Sequence, residues 1–145
     1  MPDKKSRKDQ KSLGLELGNV PPQALEVEES VLGAMLLEAS CVDMAMEELT
    51  VSSFCAPRHK MIFEAISKLV LEHTPVDMVT VSAKLKSLGN LEDVGGIVAL
   101  ANLTEKVGAA AHIESYVAIL KQKAIQRDLI SASIKILKDA YDDSV

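Results

Sequence analysis

Apolar and polar positions along the chain recur with a helical period in successive blocks. The first block is PPQALEVEESVLGAMLLE, from Pro21 to Glu38. Val27, Val31, Ala34 and Met35 fall at i, i+4, i+7 and i+8, which sets them on one helical face, and Leu32 and Leu36 widen that face. Pro21 and Pro22 suit a helix entry, because proline's φ is already helical and its missing N–H would have no partner there. Glu26, Glu28 and Glu29 crowd the first turns, where carboxylates meet the positive end of the helix dipole. The pattern predicts a buried helix with Gly33 as a close-packing point.

Four shorter segments follow. Ser40 is the expected N-cap of a helix carrying Cys41, Val42, Met44, Ala45, Met46 and Leu49, interrupted by Thr50, Ser52 and Ser53. After Pro57, the run RHKMIFEAISKLVLEH places Ile62, Ala65, Ile66 and Leu69 at three- and four-residue spacing, and Thr74 and Pro75 stop it. Asp77 or Thr80 is the expected cap of a fourth helix with Val81, Leu85 and Leu88, closed by Gly89 and Asn90. Asp93 is the expected cap of a fifth, in which Ile97, Leu100, Ala101 and Leu103 face inward and Gly95-Gly96 permits close backbone packing. The predicted core includes Val27, Val31, Met35, Ile62, Ile66, Leu69, Leu85 and Leu100.

Gly108 ends that region, and from Ala110 to Tyr141 there is neither proline nor glycine, so one continuous helix is expected. Roughly 30 residues at 1.5 Å each reach about 45 Å. A domain of about 100 residues has a radius of gyration near 13 Å, so the helix should outrun its body. Its first half carries one stripe, Ile113, Tyr116, Val117, Leu120 and Ala124. Its second half is apolar on two sides, with Leu129 and Ile136 on one and Ile130, Ile134, Leu137 and Tyr141 on the other. Such a helix needs a partner, either another chain or sequence beyond Val145.

Composition sharpens this picture. Aromatic residues make up 3% and there is no Trp, so the core is built from Leu, Ile, Val, Ala and Met, a palette for helix-on-helix packing. The six methionines lie mostly in helical stripes and read as core filling. The expectation is an all-α fold, a compact orthogonal bundle with a long protruding C-terminal helix, divided as 1–20 disordered basic tail, 21–108 globular domain and 109–145 pairing helix.

Net charge is −5, yet Lys4, Lys5, Arg7, Lys8 and Lys11 give the first twelve residues a surplus of three positive charges, so the remainder carries −8. That balance argues against a nucleic-acid grip by the folded part. Lys121, Lys123, Arg127, Lys135 and Lys138 make the last helix basic, but Asp128, Asp139 and Asp142 intervene and a solvated face is the preferred reading. Cys41 and Cys55 are the only cysteines, no signal-peptide core follows the charged N-terminus, and no apolar run approaches the roughly 20 residues of a membrane span. A cytoplasmic protein with two free thiols and no membrane partner is expected.

No catalytic signature is present: the sequence has no GxxxxGK[ST], GxSxG, HExxH or CxxC. Cys55 and His59 have ligand-like spacing, but zinc wants three or four ligands and His73 and His112 lie at other helix ends. No metal, cofactor or catalytic residue is expected in this chain. Asp77 reads as a cap in preference to an acid catalyst.

The blocks PPQALEVEESVLGAML, SFCAPRHKMIFEAISKL, TPVDMVTVSAKLKSLGNLEDVGGIVALANLT and AAHIESYVAILKQKAIQRDLI, in that order, resemble the N-terminal domain of DnaB-type bacterial replicative DNA helicases. Cys55 departs from the family where an aromatic often follows the phenylalanine, and Gly108 and His112 depart where proline and asparagine are usual. The resemblance implies a helical body followed by a hairpin that pairs with a neighbouring subunit's hairpin in the collar of a hexamer. It makes the last helix the first arm and assigns Leu129, Ile130, Ile134, Ile136, Leu137 and Tyr141 to the subunit interface. It implies primase as a partner, a helicase loader as a further candidate, and DNA as a partner of the full assembly. ATP and Mg²⁺ are expected only for a motor domain outside this chain. Two rivals stand beside this reading: a small nucleic-acid-binding module using the basic tail and the Lys121–Lys138 face, and, last, an enzyme built around Asp77, His59 and Cys55.

Overall fold

In the computed structural model, residues 20–106 and 112–142 are described, and among them are six α-helices and no strand. Residues 1–19 of the expected tail, the helix end at Gly108 and the helix start at Ala110 lie outside those residues. The prolines stand further from the first helix than their φ preference suggests: α1 (Leu25–Leu37) begins after Ala24, which offers no side-chain cap. All six residues from Val31 to Leu36, Gly33 among them, are buried, so α1 is enclosed on every side over this stretch, while Glu26 and Leu37 near its ends are exposed. Its enclosure comes from contact with four other helices, α2 (Ala39–Glu48), α3 (Pro57–Leu71), α5 (Gly96–Glu105) and α6 (Ile113–Ala140). α4 (Met78–Ser87) packs against α3 and α5 instead.

The breaks between helices have local causes. Glu38 alone, in an extended conformation, separates α1 from α2 and is the N-cap residue of α2, which leaves Ser40 inside the first turn and not at its expected capping position. A short 3-10 turn at Val51–Ser53 follows, held by a reciprocal capping box between Thr50 and Ser53. Past the end of α3, His73 adopts φ 56, and the N–H of Thr74 returns to the carbonyl of Leu69. The chain thus leaves α3 through a left-handed residue before it reaches Pro75. Gly89 ends α4 in the same way, with φ 77 and the Asn90 N–H donating to the Leu85 carbonyl.

Asp77 is the N-cap of α4: its carboxylate accepts the Thr80 N–H at 2.8 Å while the Thr80 hydroxyl accepts the Asp77 N–H at 3.0 Å. Asp93 does not cap α5. The N-cap is Gly95, at φ 101, followed by Gly96 at φ 75, and Asp93 sits exposed in the turn before them. Two successive left-handed residues explain the glycine pair. Close approach applies at Gly95, where a Cβ would lie 2.9 Å from that of Ala99, and not at Gly96.

The core joins all six helices. Val31, Met35, Ile62, Ile66, Leu69, Leu85 and Leu100 are buried in it, and Val27 packs against it half-buried. Within it Phe54 and Phe63, the only two phenylalanines, meet in a tilted ring contact with centroids 4.9 Å apart. Ile97 differs from its expected inward position. It is exposed at the start of α5 beside Val98, since that helix buries only Leu100 and Leu103 fully.

Candidate functional site at the free half of the long helix

α6 has 28 residues, about 42 Å of helix, and it changes character halfway. Ile113, Val117 and Leu120 are buried, and Tyr116 packs against the core, so the first half belongs to the body. Arg127 ties the middle of α6 to the body. Its guanidinium donates to the Pro22 carbonyl at 3.0 Å and to the carbonyls of Ser52 and Ser53 at 3.0 and 3.2 Å, tying α6 to the entry of α1 and to the 3-10 turn. Burial and the positive charge of Arg127 lower the pKa of neighbouring Lys60. One turn and a half earlier, Lys121 pairs with Glu48 at 2.5 Å. The basic face read as solvated therefore has two of its cations engaged with the body.

Beyond Arg127 most of the large apolar side chains are exposed. Leu129 is 62% exposed, Ile136 69% and Tyr141 81%, and Ile130 and Leu137 are exposed as well. Ile134 is half-buried. The spacing resolves into two seams. Ile130, Ile134, Leu137 and Tyr141 recur at four, three and four residues, the interval by which one helix meets another along its length. Ile125, Leu129, Ala132 and Ile136 repeat that interval about 100° around the helix. Sequence reasoning missed Ile125, which is exposed although it lies in the body-bound half.

A second feature lies at the start of α1: Glu28 stands in its first turn with Glu26, as expected, and is in addition fully buried. Its carboxylate accepts the N–H of Cys55 at 2.9 Å and that of Ala56 at 3.3 Å, and lies 2.8 Å from Nδ1 of His59. The N-cap of α3 is Ala56, whose methyl group cannot cap. Glu28 does this from another helix, placing a carboxylate where the unpaired N–H groups of α3 begin. Burial by itself would raise the pKa of Glu28, but the His59 hydrogen bond, the two backbone donors and the charge of His59 hold it below the ordinary carboxylate value. The signal was present in the spacing: Glu28, Val31, Leu32 and Met35 share one face.

Cys55 and His59 make other contacts. His59 turns Nδ1 to Glu28, the Cys55 thiol lies 3.5 Å from Oε1 of Gln23, and no group of three or more His, Cys, Asp or Glu side chains is placed to hold a metal among the described residues. Cys41 is buried and Cys55 half-buried, both free thiols, and burial beside Glu38 pushes the Cys41 thiol up. No helix among the described residues is long and apolar enough to cross a membrane.

A buried helix at the centre, a tertiary cap fixing its neighbour and a long last helix with exposed apolar residues in its second half define an all-helical domain. The sequence comparisons agree with that class. The model of the DnaB-like helicase N-terminal domain matches residues 20–122, and the chain belongs to that family. It is 39% identical over 131 residues to the replicative DNA helicase DnaB of Rhodothermus marinus, covering 90% of this chain and 14% of that protein. With DnaB of Geobacillus stearothermophilus it shares 37% over 122 residues, covering 84% of this chain and 27% of that protein. The chain thus spans about a quarter or less of these two relatives. Its fold matches the crystal structure of the N-terminal domain of DnaB helicase from Mycobacterium tuberculosis with a TM-score of 0.82 at 35% identity, covering 86% of this chain and 91% of that one. The N-terminal domain of DnaB helicase from Helicobacter pylori, a structure described together with that domain's interactions with primase, shares the fold with a TM-score of 0.67 at 24% identity.

Proposed function

We propose that this chain is the collar domain of a bacterial replicative DNA helicase, which pairs subunits of a hexamer through the free half of α6 and offers its helical body to primase. The observation that carries this reading is the pair of apolar seams beyond Arg127, with Leu129, Ile136 and Tyr141 each more than half exposed. Two seams suit two neighbours. One accepts the second arm of a hairpin and the other accepts the arm of an adjacent subunit. ATP-driven unwinding, and the ATP and Mg²⁺ it needs, belong to a motor domain beyond this chain, as does contact with DNA. The likeness to a family member described with its primase interactions supports primase as partner, and a helicase loader fits the same collar. Against the rival nucleic-acid reading stand the engagement of Lys121 with Glu48 and of Arg127 with three carbonyls.

Sedimentation velocity tests the pairing. Dimers should grow with concentration, and Ile134→Asp or Leu137→Asp should weaken dimerisation at least about tenfold, because a buried unpaired charge is costly. A strict monomer at high concentration would count against the proposal.

A further inference from the structure

Away from the arm, a groove of about 150 Å³ opens between α1, α3 and α5. Ile62, Val94 and Leu103 form its apolar floor, and Glu29, Arg58 and Lys106 its rim. Cavities of about this volume accept a group the size of benzene, so one aliphatic side chain fits. The rim has an unusual charge arrangement. Glu29 alone answers two cations, with Lys106 Nζ at 2.7 Å and Arg58 Nη2 at 3.7 Å from its two oxygens. The Glu29 side chain is mostly buried, whereas those of Arg58 and Lys106 stay half exposed. Two cations held by one carboxylate leave a positive surplus at the mouth of an apolar groove, in a chain whose net charge is −5. The Arg58 pair is also long, so its guanidinium retains donors for a second carboxylate. Asn102 adds an amide to the same lining.

We propose that this groove docks an acidic–aliphatic peptide segment of a partner protein, its carboxylate on Arg58 and Lys106 and its aliphatic side chain on the floor between α3 and α5. Charge complementarity selects this occupant: the surplus cation rejects a basic segment, and the floor gives a purely charged ligand nothing to bury. The proposal deepens the docking role of the body and rests on it, but it uses a surface distinct from the seams of α6.

The test is titration of the isotopically labelled 145-residue chain with the peptide acetyl-Gly-Ile-Glu-Leu-Gly-amide and with its Gln counterpart, followed by amide chemical shifts. Saturable shifts at Arg58, Asn102 and Lys106 are expected for the Glu peptide, with affinity at least about tenfold above the Gln peptide. Lys106→Glu should abolish them and Arg58→Gln weaken them, and circular dichroism should report an unchanged fold because both side chains lie at the surface. Glu29→Gln should tighten binding about threefold by releasing both cations. Equal shifts with both peptides, shifts that survive Lys106→Glu, or none up to about 5 mM (a weak-binding bound of roughly 3 kcal/mol) would overturn the proposal. So would displacement of the peptide by a short oligothymidylate, which would make the ligand a phosphate backbone. Dimerisation measured in parallel should be untouched by Lys106→Glu and lost in Leu137→Asp, so the two proposals fail separately.

Discussion

The two halves of α6 share one backbone and differ in what surrounds them. From Ile113 to Arg127 the helix has buried apolar residues on one face and ties to α2, α1's entry and the 3-10 turn through Lys121 and Arg127. From Asp128 to Ala140, about 20 Å of helix, it carries apolar residues of the same kinds and buries none of them fully. Composition therefore does not separate a core stripe from a docking stripe. Position relative to the body does: the same kind of side chain is buried in the first half and exposed in the second, where the proposed pairing would use it.

Core substitution should break this contrast most strongly. Leu120→Ala removes a fully buried side chain in the first half and should cost about 2–5 kcal/mol in urea unfolding. Ile136→Ala, at a position 69% exposed, should stay within about 0.5 kcal/mol when unfolding is measured at concentrations where the chain is monomeric. Comparable losses at both positions would mean that the free half is buried in the monomer.

A second prediction concerns how the body that receives the first half is fixed. The folded Glu28 carboxyl ionises below its ordinary value of 4.5. Its contribution to stability is therefore complete above the unfolded value and is lost as pH falls through the folded one. Glu28→Gln should cost about 1–3 kcal/mol at pH 7, since a buried acceptor for two N–H groups and His59 loses its charge. The stability gap between wild type and E28Q should narrow steadily below pH 4.5 in urea titrations. A gap independent of pH would show that the carboxylate charge is not what stabilises the start of α3.

These residues also show which parts of the molecule were legible from sequence. Helical period located every helix, and Asp77 was recognisable as a cap candidate from its residue type at a helix boundary, where the structure pairs it with Thr80. The two-sided apolar pattern after Asp128 was legible for the same reason, as helical neighbours in space are near neighbours in sequence. The inward face of Glu28 could be read from its spacing, but its partners, 27 and 31 residues away at Cys55 and His59, could not, because they arrive only when α1 and α3 pack. Arg127 is a more extreme case, reaching a carbonyl 105 residues away. Asp93 failed as a cap for a local reason: the turn needed two left-handed residues, and the glycines that supplied them moved the helix start past it. The groove at Glu29 had no sequence signal at all, since its three charged residues come from three helices' worth of separate chain.

The smallest effects lie at the boundary between the halves and locate it. Arg127→Met keeps the apolar stem but removes the donors to Pro22, Ser52 and Ser53, and should cost about 1 kcal/mol. Lys121→Met removes an ion pair whose partners are both substantially exposed and should cost less than that. Hydrogen exchange sharpens the comparison more than either total. In wild type, amide protection along α6 should fall after Arg127, because beyond it only Ile134 is even half-buried. In Arg127→Met the fall should move back towards Leu120, the last fully buried residue, whereas in Lys121→Met it should not move. If protection in Arg127→Met still persists to residue 127, the three carbonyl contacts do not set the boundary, and the packing of Lys123, Ala124 and Gln126, each half-buried, holds that turn by itself.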